Sequence, residues 1–231
     1  DSVASRGLGD VYKRQLLYTL RITHKRPLRW EEINMEIDKK VMMSEIGGAF
    51  IVSWLVLASG MDEGSDMLMA ALVLAAAMTA MAGAHILPMF TWMTIMTGDM
   101  TDQDNWMNNG MRLIAQVVGA LAAILMVNAG ETPDYEAGAM WGFEMWEVVT
   151  MVAAGAIIGA VHSRCEAWMT AIVVIVCVSS IGMGMNGADH MASTLMADSG
   201  NMTNTISTWV LDGAVLGLGA MIGTKIDEAM E

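Results

Sequence analysis

The chain has 231 residues, of which 55% are hydrophobic and only 16% are charged, and its mean hydropathy is positive. These charges are too few to cover a soluble protein of this size, which predicts an integral membrane protein. The formal net charge of −13 argues against a nucleic-acid partner. The two cysteines, Cys165 and Cys177, support neither a disulfide framework nor a metal motif.

Residues 1–40 form a polar, basic N-terminal segment with no apolar stretch of the kind found in a cleavable signal peptide. Within it, residues 10–15 (DVYKRQ) match the translation of a transposon end used in sequencing libraries. We therefore interpret residues 1–15 as a sequencing artefact and assign them no function. The alternative is a basic N-terminal arm.

Six apolar stretches follow, and each approaches or reaches the ~20 residues that a membrane-spanning helix requires. We expect six spans, which together make up one channel domain over residues 41–225, with a short C-terminal tail at 226–231. The expected spans are Val41–Gly60, Met67–Ile86, Met107–Val127, Met145–Val161, Trp168–Met185 and Thr205–Thr224.

The basic residues indicate the orientation of these spans. Nine of the twelve Lys and Arg residues precede the first span, and Arg112, Arg164 and Lys225 fall on the same side of a six-span arrangement. The opposite loops, at 61–66, 128–144 and 198–204, contain acidic residues but no Lys or Arg. The positive-inside rule then places both termini in the cytoplasm of a multi-pass plasma-membrane protein.

The channel domain has two similar halves, residues 41–128 and 145–225. Each opens with a carboxylate near the start of an apolar span, Glu45 in the first half and Glu147 in the second. A Gly-Ala pair about 40 residues later begins an interrupted stretch, GAHILPMFTW at 83–92 and GADHMASTLM at 187–196, and a glycine-containing span follows. Three spans per half give the halves opposite polarity, which predicts an inverted repeat.

This order of residues resembles the major intrinsic protein family, the aquaporins and aquaglyceroporins. The resemblance covers roughly residues 41–225, and it rests on Glu45, the 83–88 loop, Gln116-x-x-Gly119, Glu147 and the glycines after Trp209. It implies an all-α membrane fold of six transmembrane helices plus two re-entrant half-helices, expected at Pro88–Thr97 and Ala192–Asp198. It also implies a homotetramer in the lipid bilayer.

The same resemblance implies a passive channel for water or for small neutral solutes of the glycerol type, with no cofactor or metal. The sequence contains no nucleophile paired with a base, no phosphate-binding loop and no closed metal set. Nothing in it therefore indicates an enzyme. Two alternatives remain open at this point. One is a cation- or proton-leaky channel or coupled transporter, and the other is a non-conducting relative with the same packing.

Three side chains are expected to anchor the re-entrant loops: Glu45, Glu147 and Gln116. A buried carboxylate can accept the N–H groups of a loop, and an unpaired carboxylate inside a membrane is costly. The alternative for both carboxylates is an interfacial position among the lipid headgroups.

Residues at the half-helix tips and at the outer constriction depart from the family pattern. The family's Asn-Pro-Ala repeat is replaced by Leu-Pro-Met at 87–89 and, in the register adopted, by Met-Ala-Ser at 191–193. The residues expected at the tips are His85, Leu87, Pro88, Met89, His190, Met191, Ala192 and Ser193. Those expected at the constriction are Met67, Ser179, Ala188 and Thr194, where Thr194 replaces the family's arginine. These changes predict a less polar centre and a wider mouth.

Several remaining polar residues leave alternatives open. Asp189 and His190 either bind a cation or relay protons in the pore, or they serve only the local backbone or the outer mouth. His162 is a candidate for gating by protonation. Asp212 either lines the pore or forms a hydrogen bond between helices. The 26 methionines are interpreted as adaptable apolar filler, with Cu(I) binding as the alternative.

Overall fold

The computed structural model describes residues 38–58, 66–131, 135, 138–181, 187–197 and 201–230. This part of the chain contains eight α-helices and no β-strand, so the predicted all-helical fold is confirmed for it. Residues 1–37, including the suspected artefact, lie outside the described residues. The helices are α1 (Lys39–Ala58), α2 (Asp66–Ala80), α3 (Pro88–Thr97), α4 (Gln103–Val127), α5 (Met145–Arg164), α6 (Ala167–Ile181), α7 (Ala188–Met196) and α8 (Met202–Met230).

Four of these helices, α1, α4, α5 and α8, are long and apolar enough to cross a membrane. The other two apolar helices, α2 and α6, have 15 residues each. At 1.5 Å per residue they are about 22 Å long, which is less than the ~30 Å hydrocarbon core. Among the described residues there are therefore four candidate spans where the sequence predicted six.

Helix α2 ends at Ala80, six residues before the predicted end at Ile86. The cause is local, because a turn at 81–83 leads into an extended loop. Gly83 has φ of +88°, in the left-handed region that glycine tolerates. The loop ends at Leu87, and Pro88 then starts α3, at the first helical position where proline is favoured. Helix α3 has the predicted bounds.

Large apolar side chains remain exposed along several helices. Examples are Leu68 on α2, Ile114 on α4, Val176 on α6 and Ile226 on α8, whose exposed fractions range from 51 to 68%. Exposed apolar surface repeated on several helices is expected of a protein whose solvent is lipid. Together with the four long apolar helices, it fits a membrane protein.

The packing contacts of the first four helices correspond to those of the last four. Helix α1 packs against α4, and α5 packs against α8 with equal extent. The short helix α3 contacts α8, while the other short helix, α7, contacts α4, and α2 packs against α6. Exchanging the two halves therefore maps these contacts onto one another: α1–α4 onto α5–α8 and α3–α8 onto α4–α7, while α2–α6 maps onto itself.

Glycines make the closest of these helix crossings possible. A Cβ atom on Gly119 of α4 would overlap the main-chain oxygen of Ile46 on α1. In the other half, a Cβ on Gly219 of α8 would overlap the main-chain oxygen of Val152 on α5. Small residues at crossings let helix backbones approach closely, which is a principal means of helix association in lipid.

Candidate functional site

One buried carboxylate holds the loop between α2 and α3. Glu45 of α1 has no exposed surface, and it accepts hydrogen bonds from the main-chain N–H groups of His85, at 2.7 Å, and Ile86, at 2.8 Å. Ile86 has φ of +66°, which a β-branched residue rarely adopts. Such strain persists only where the surroundings fix it. Glu45 thus holds the loop at residues 85–86 by two hydrogen bonds.

Two side chains of α4 complete the surroundings of Glu45. Arg112 Nη1 donates to Glu45 Oε1 at 2.8 Å and to the carbonyl oxygen of Gly83 at 3.0 Å. Gln116 Nε2 donates to Glu45 Oε2 at 2.9 Å. Arg112 and Gln116 are four residues apart, so they lie on one face of the helix. Four donors, one of them cationic, therefore compensate a carboxylate that has lost its hydration.

This role of Arg112 was not predicted from the sequence, in which the residue served only to indicate orientation. A signal was present, because Arg112 lies within the expected span Met107–Val127 and four residues before the predicted anchor Gln116. An arginine inside a membrane helix requires a partner. Glu45 was the buried acid already predicted for that half.

The network extends from Gln116 to His85. Gln116 Nε2 also donates to Thr91 Oγ1 at 3.0 Å, and His85 Nδ1 lies 3.0 Å from the same oxygen. His85 and His162 both line a cavity of about 440 Å³, which we call the histidine cavity. The ring of His162 lies 5.2 Å from that of Phe90, measured between centroids. His85 thus belongs to the loop-holding network and also faces open space.

The second half does not repeat this arrangement among the described residues. Glu147 is exposed in the first turn of α5, and within that part of the chain its side chain has no hydrogen bond to residues 187–197. The buried carboxylate of this half is Asp212 on α8, which is 5% exposed. Its Oδ1 accepts a hydrogen bond from Trp141 Nε1 at 2.9 Å. Trp141 lies in the non-helical segment before α5, so this bond joins that segment to α8 and is not the bond between helices that the sequence offered as one of two roles.

The second short helix begins earlier than predicted. Helix α7 starts at Ala188 rather than Ala192, so Met191, Ala192 and Ser193 lie within the helix and not at its tip. Met191 and Ala192 pack in a hydrophobic cluster. Gly187, in extended conformation, precedes the helix, and Asp189 supplies a carboxylate in the first turn, where a negative charge favours helix initiation. The predicted position was obtained by counting residues from the Gly-Ala pair that both halves share. The observed start of α7 shows that this count is not the same in the two halves.

This shift also changes the comparison with the family motif. With the tip at Gly187-Ala188, the residue that directly precedes it in the sequence is Asn186, which lies outside the described residues. The expectation that the second loop lacks an asparagine depended on the earlier register. In the first loop the residue directly before α3 is Leu87, and its side chain makes no capping hydrogen bond.

The starting ends of α3 and α7 adjoin one cavity, which we call the central cavity. It has a volume of about 120 Å³, and it is lined by Ala49, Val52, Ser53, Val56, Leu57, Ile86, Leu87, Ala188 and Asp189. Only Ser53 and Asp189 among these have polar side chains. A single water needs only ~10–15 Å³ of such volume, so several waters fit.

A third cavity, of about 400 Å³, lies beside α7 and α8 and is called the Tyr135 cavity. Its lining comprises Tyr135, Gly138, Ala139, His190, Asn204, Thr205 and Thr208. The rings of Tyr135 and His190 meet edge to face, with centroids 6.2 Å apart. Thr205 Oγ1 is hydrogen-bonded to Thr194 Oγ1 at 2.9 Å. Hydroxyl, amide and imidazole groups therefore dominate the polar lining of this cavity.

The four residues predicted to form a constriction have different surroundings. Ala188 lines the central cavity, and Thr194 is buried beside the Tyr135 cavity in its contact with Thr205. Met67 and Ser179 are exposed, on α2 and α6, and neither lines the central cavity. The residues of the Tyr135 cavity were not predicted as a group, because residue spacing alone does not bring the 135–139 segment against α8.

No protein-family model matches the chain, and no curated protein matches it.

Proposed function

We propose that the chain is a passive membrane channel for water or small neutral solutes, with an aquaporin-like architecture. In this proposal α2 and α6 act as the second and fifth of six spans, and α3 and α7 are half-helices that enter the membrane without crossing it. Both termini are cytoplasmic in a plasma membrane, and four copies assemble. The tetramer rests on the family resemblance alone.

One observation carries the proposal, namely that α3 and α7 begin at the same cavity. They are 10 and 9 residues long, too short to cross a bilayer. Leu87 at the start of α3 and Ala188 at the start of α7 both line the central cavity. Irregular backbone of the kind found at 81–87 is tolerated at membrane depth where it borders protein or a water-filled space.

The contacts of Glu45 support the same function. A pore wall that exposes loop carbonyl groups to a permeating molecule has to keep those groups in fixed positions. The buried network of Glu45, Arg112 and Gln116 fixes the 83–86 loop by hydrogen bonds to two of its N–H groups and one of its carbonyl groups. In this proposal the histidine cavity and the Tyr135 cavity serve as the two vestibules.

Stopped-flow measurement on proteoliposomes tests the proposal, with water, glycerol and urea compared. Val52→Trp places an indole at the wall of the central cavity and is expected to lower permeability at least several-fold. Val118→Trp, at a 45%-exposed position on α4, is the matched control and is expected to conduct like the parent. Both variants are compared at equal protein incorporation. Parent vesicles that shrink no faster than empty liposomes for all three solutes would refute the channel.

A further inference from the structure

The central cavity contains a carboxylate where the ends of two helices meet. Asp189, in the first turn of α7, lines the cavity, and 34% of its side-chain surface is accessible. Its Oδ1 lies against Gly187, because a Cβ atom there would overlap it. Its Oδ2 lies 3.4 Å from Nδ1 of His190. The main-chain N–H groups of Asp189 and His190 also donate to this carboxylate, which differs from that of Glu45 in being partly exposed and in having no arginine beside it.

The two permanent cations of the second half, Arg164 and Lys225, are already paired with Asp227 and Glu228. The sequence contains no Lys or Arg from residue 165 to residue 224. Arg112, in the other half, is already bonded to Glu45 and to the carbonyl oxygen of Gly83. The cavity therefore has an acidic group whose neighbouring base is an imidazole.

The carboxylate of Asp189 opposes the positive electrostatic potential of the two helix N-termini. Each helix N-terminus carries the equivalent of roughly +0.5 charge, so two that face one cavity contribute about +1 and disfavour cations there. The Asp189 carboxylate contributes −1 at the same place. The sum is near zero, and the barrier that two opposed helix ends would present to a cation is removed.

We propose that Asp189, with the hydroxyl of Ser53 and water, forms a weak binding site for a monovalent alkali cation in the central cavity, so that the channel passes such cations as well as neutral solutes. The site suits a weakly held monovalent ion, since in the described part of the chain no three His, Cys, Asp or Glu side chains converge as a metal site requires. The cavity volume of about 120 Å³ leaves space for retained water around the ion. This inference rests on the proposed function, in which the central cavity belongs to a pore.

Planar-bilayer recordings of the full-length protein across a KCl gradient test the inference. The parent is expected to give a reversal potential on the K⁺ side of zero. Asp189→Asn removes the charge with little change of volume, and it is expected to lower K⁺ conductance about tenfold or more. This magnitude follows because a unit charge within ~10 Å, at an effective dielectric constant of ~20, changes ion occupancy by that factor.

Two further variants distinguish the effect of the carboxylate in the central cavity from the effect of the protein's overall negative charge. Asp189→Glu keeps the carboxylate and is expected to retain K⁺ selectivity. Glu131→Gln removes an exposed acid from the turn after α4, outside the three cavities, and is expected to behave like the parent. Water permeability of each variant, measured in parallel, shows whether its pore is assembled.

The possible outcomes distinguish this inference from the function on which it rests. Solute flux without cation current in the parent overturns the cation site and leaves the neutral channel intact. Undiminished K⁺ selectivity in Asp189→Asn also overturns it. Absence of both flux and current overturns both proposals. If Asp189→Asn fails to assemble, the reversal potential of the parent still tests the cation site. A value at zero or on the Cl⁻ side contradicts that site.

Discussion

Replacing Arg112 with methionine tests whether the ion pair with Glu45 is a principal support of the first loop. Methionine keeps a long flexible side chain but removes the charge and both hydrogen bonds of the guanidinium. Glu45 is then left with three neutral N–H donors and no counter-charge, at a position with no solvent exposure. The carbonyl of Gly83 also loses a donor.

The expected size of the effect follows from the burial of the pair. Removing one partner of a buried ion pair typically costs about 3–5 kcal/mol, because the other charge remains buried and uncompensated. Arg112 is itself 20% exposed, so some water reaches the pair and the lower end of that range applies. For a chain of this length, ~1 kcal/mol corresponds to about 2–4 °C in Tm. Arg112→Met should therefore lower Tm by about 6–12 °C.

Thermal unfolding in one mild detergent, followed by tryptophan fluorescence, measures this change. Glu147→Gln is the matched control, since Glu147 occupies the corresponding place in the second half but is exposed; its Tm should stay within about 2 °C of the parent. The double variant Glu45→Gln with Arg112→Met removes both charges. It should be less destabilised than the sum of the two single variants, because contacting residues are coupled.

Two results would contradict this reasoning. One is an Arg112→Met protein that melts with the parent. The other is strict additivity in the double variant, which would mean that Arg112 acts through Gly83 or through packing and not through the charge of Glu45.

The sequence predicted the first half of the candidate site better than the second, for a physical reason. In the first loop Pro88 fixes where α3 starts, because proline favours the first helical position. The second loop has no proline, so its helix start depends on weaker preferences at Gly187 and Asp189. A register counted from the Gly-Ala pair consequently misplaced that tip by about four residues.

Contacts between distant segments were the least predictable feature. The bond between Glu45 and the loop could be expected because an intramembrane acid requires donors. The meeting of Trp141 with Asp212 depends on how the 138–144 segment lies over α8, and no spacing in the sequence encodes that. The presence of the helices could be predicted from the length of the apolar stretches. The early end of α2 could not, because the apolar pattern does not reveal the positive φ at Gly83 in the turn that ends it.

Two further predictions concern the close helix crossing and the tip of α3. Gly119→Val should prevent assembly in detergent, because its side chain would overlap the main chain of α1, while Gly110→Val, on the same helix with open space around it, should assemble normally in size-exclusion chromatography. Leu87→Asn should raise both Tm and water permeability. Leu87 precedes α3 with an extended backbone and no capping bond, so an asparagine there can cap the helix, which is typically worth about 0.5–2 kcal/mol. Its amide also brings hydrogen-bonding groups to a cavity wall that now has only Ser53 and Asp189. Asparagine has as many side-chain non-hydrogen atoms as leucine, so Leu87→Asn adds polar groups with little change of volume, whereas Leu87→Ala removes volume without adding a polar group. Water flux that rises in Leu87→Ala but not in Leu87→Asn would show that side-chain volume limits flow at this point, and that hydrogen bonding does not.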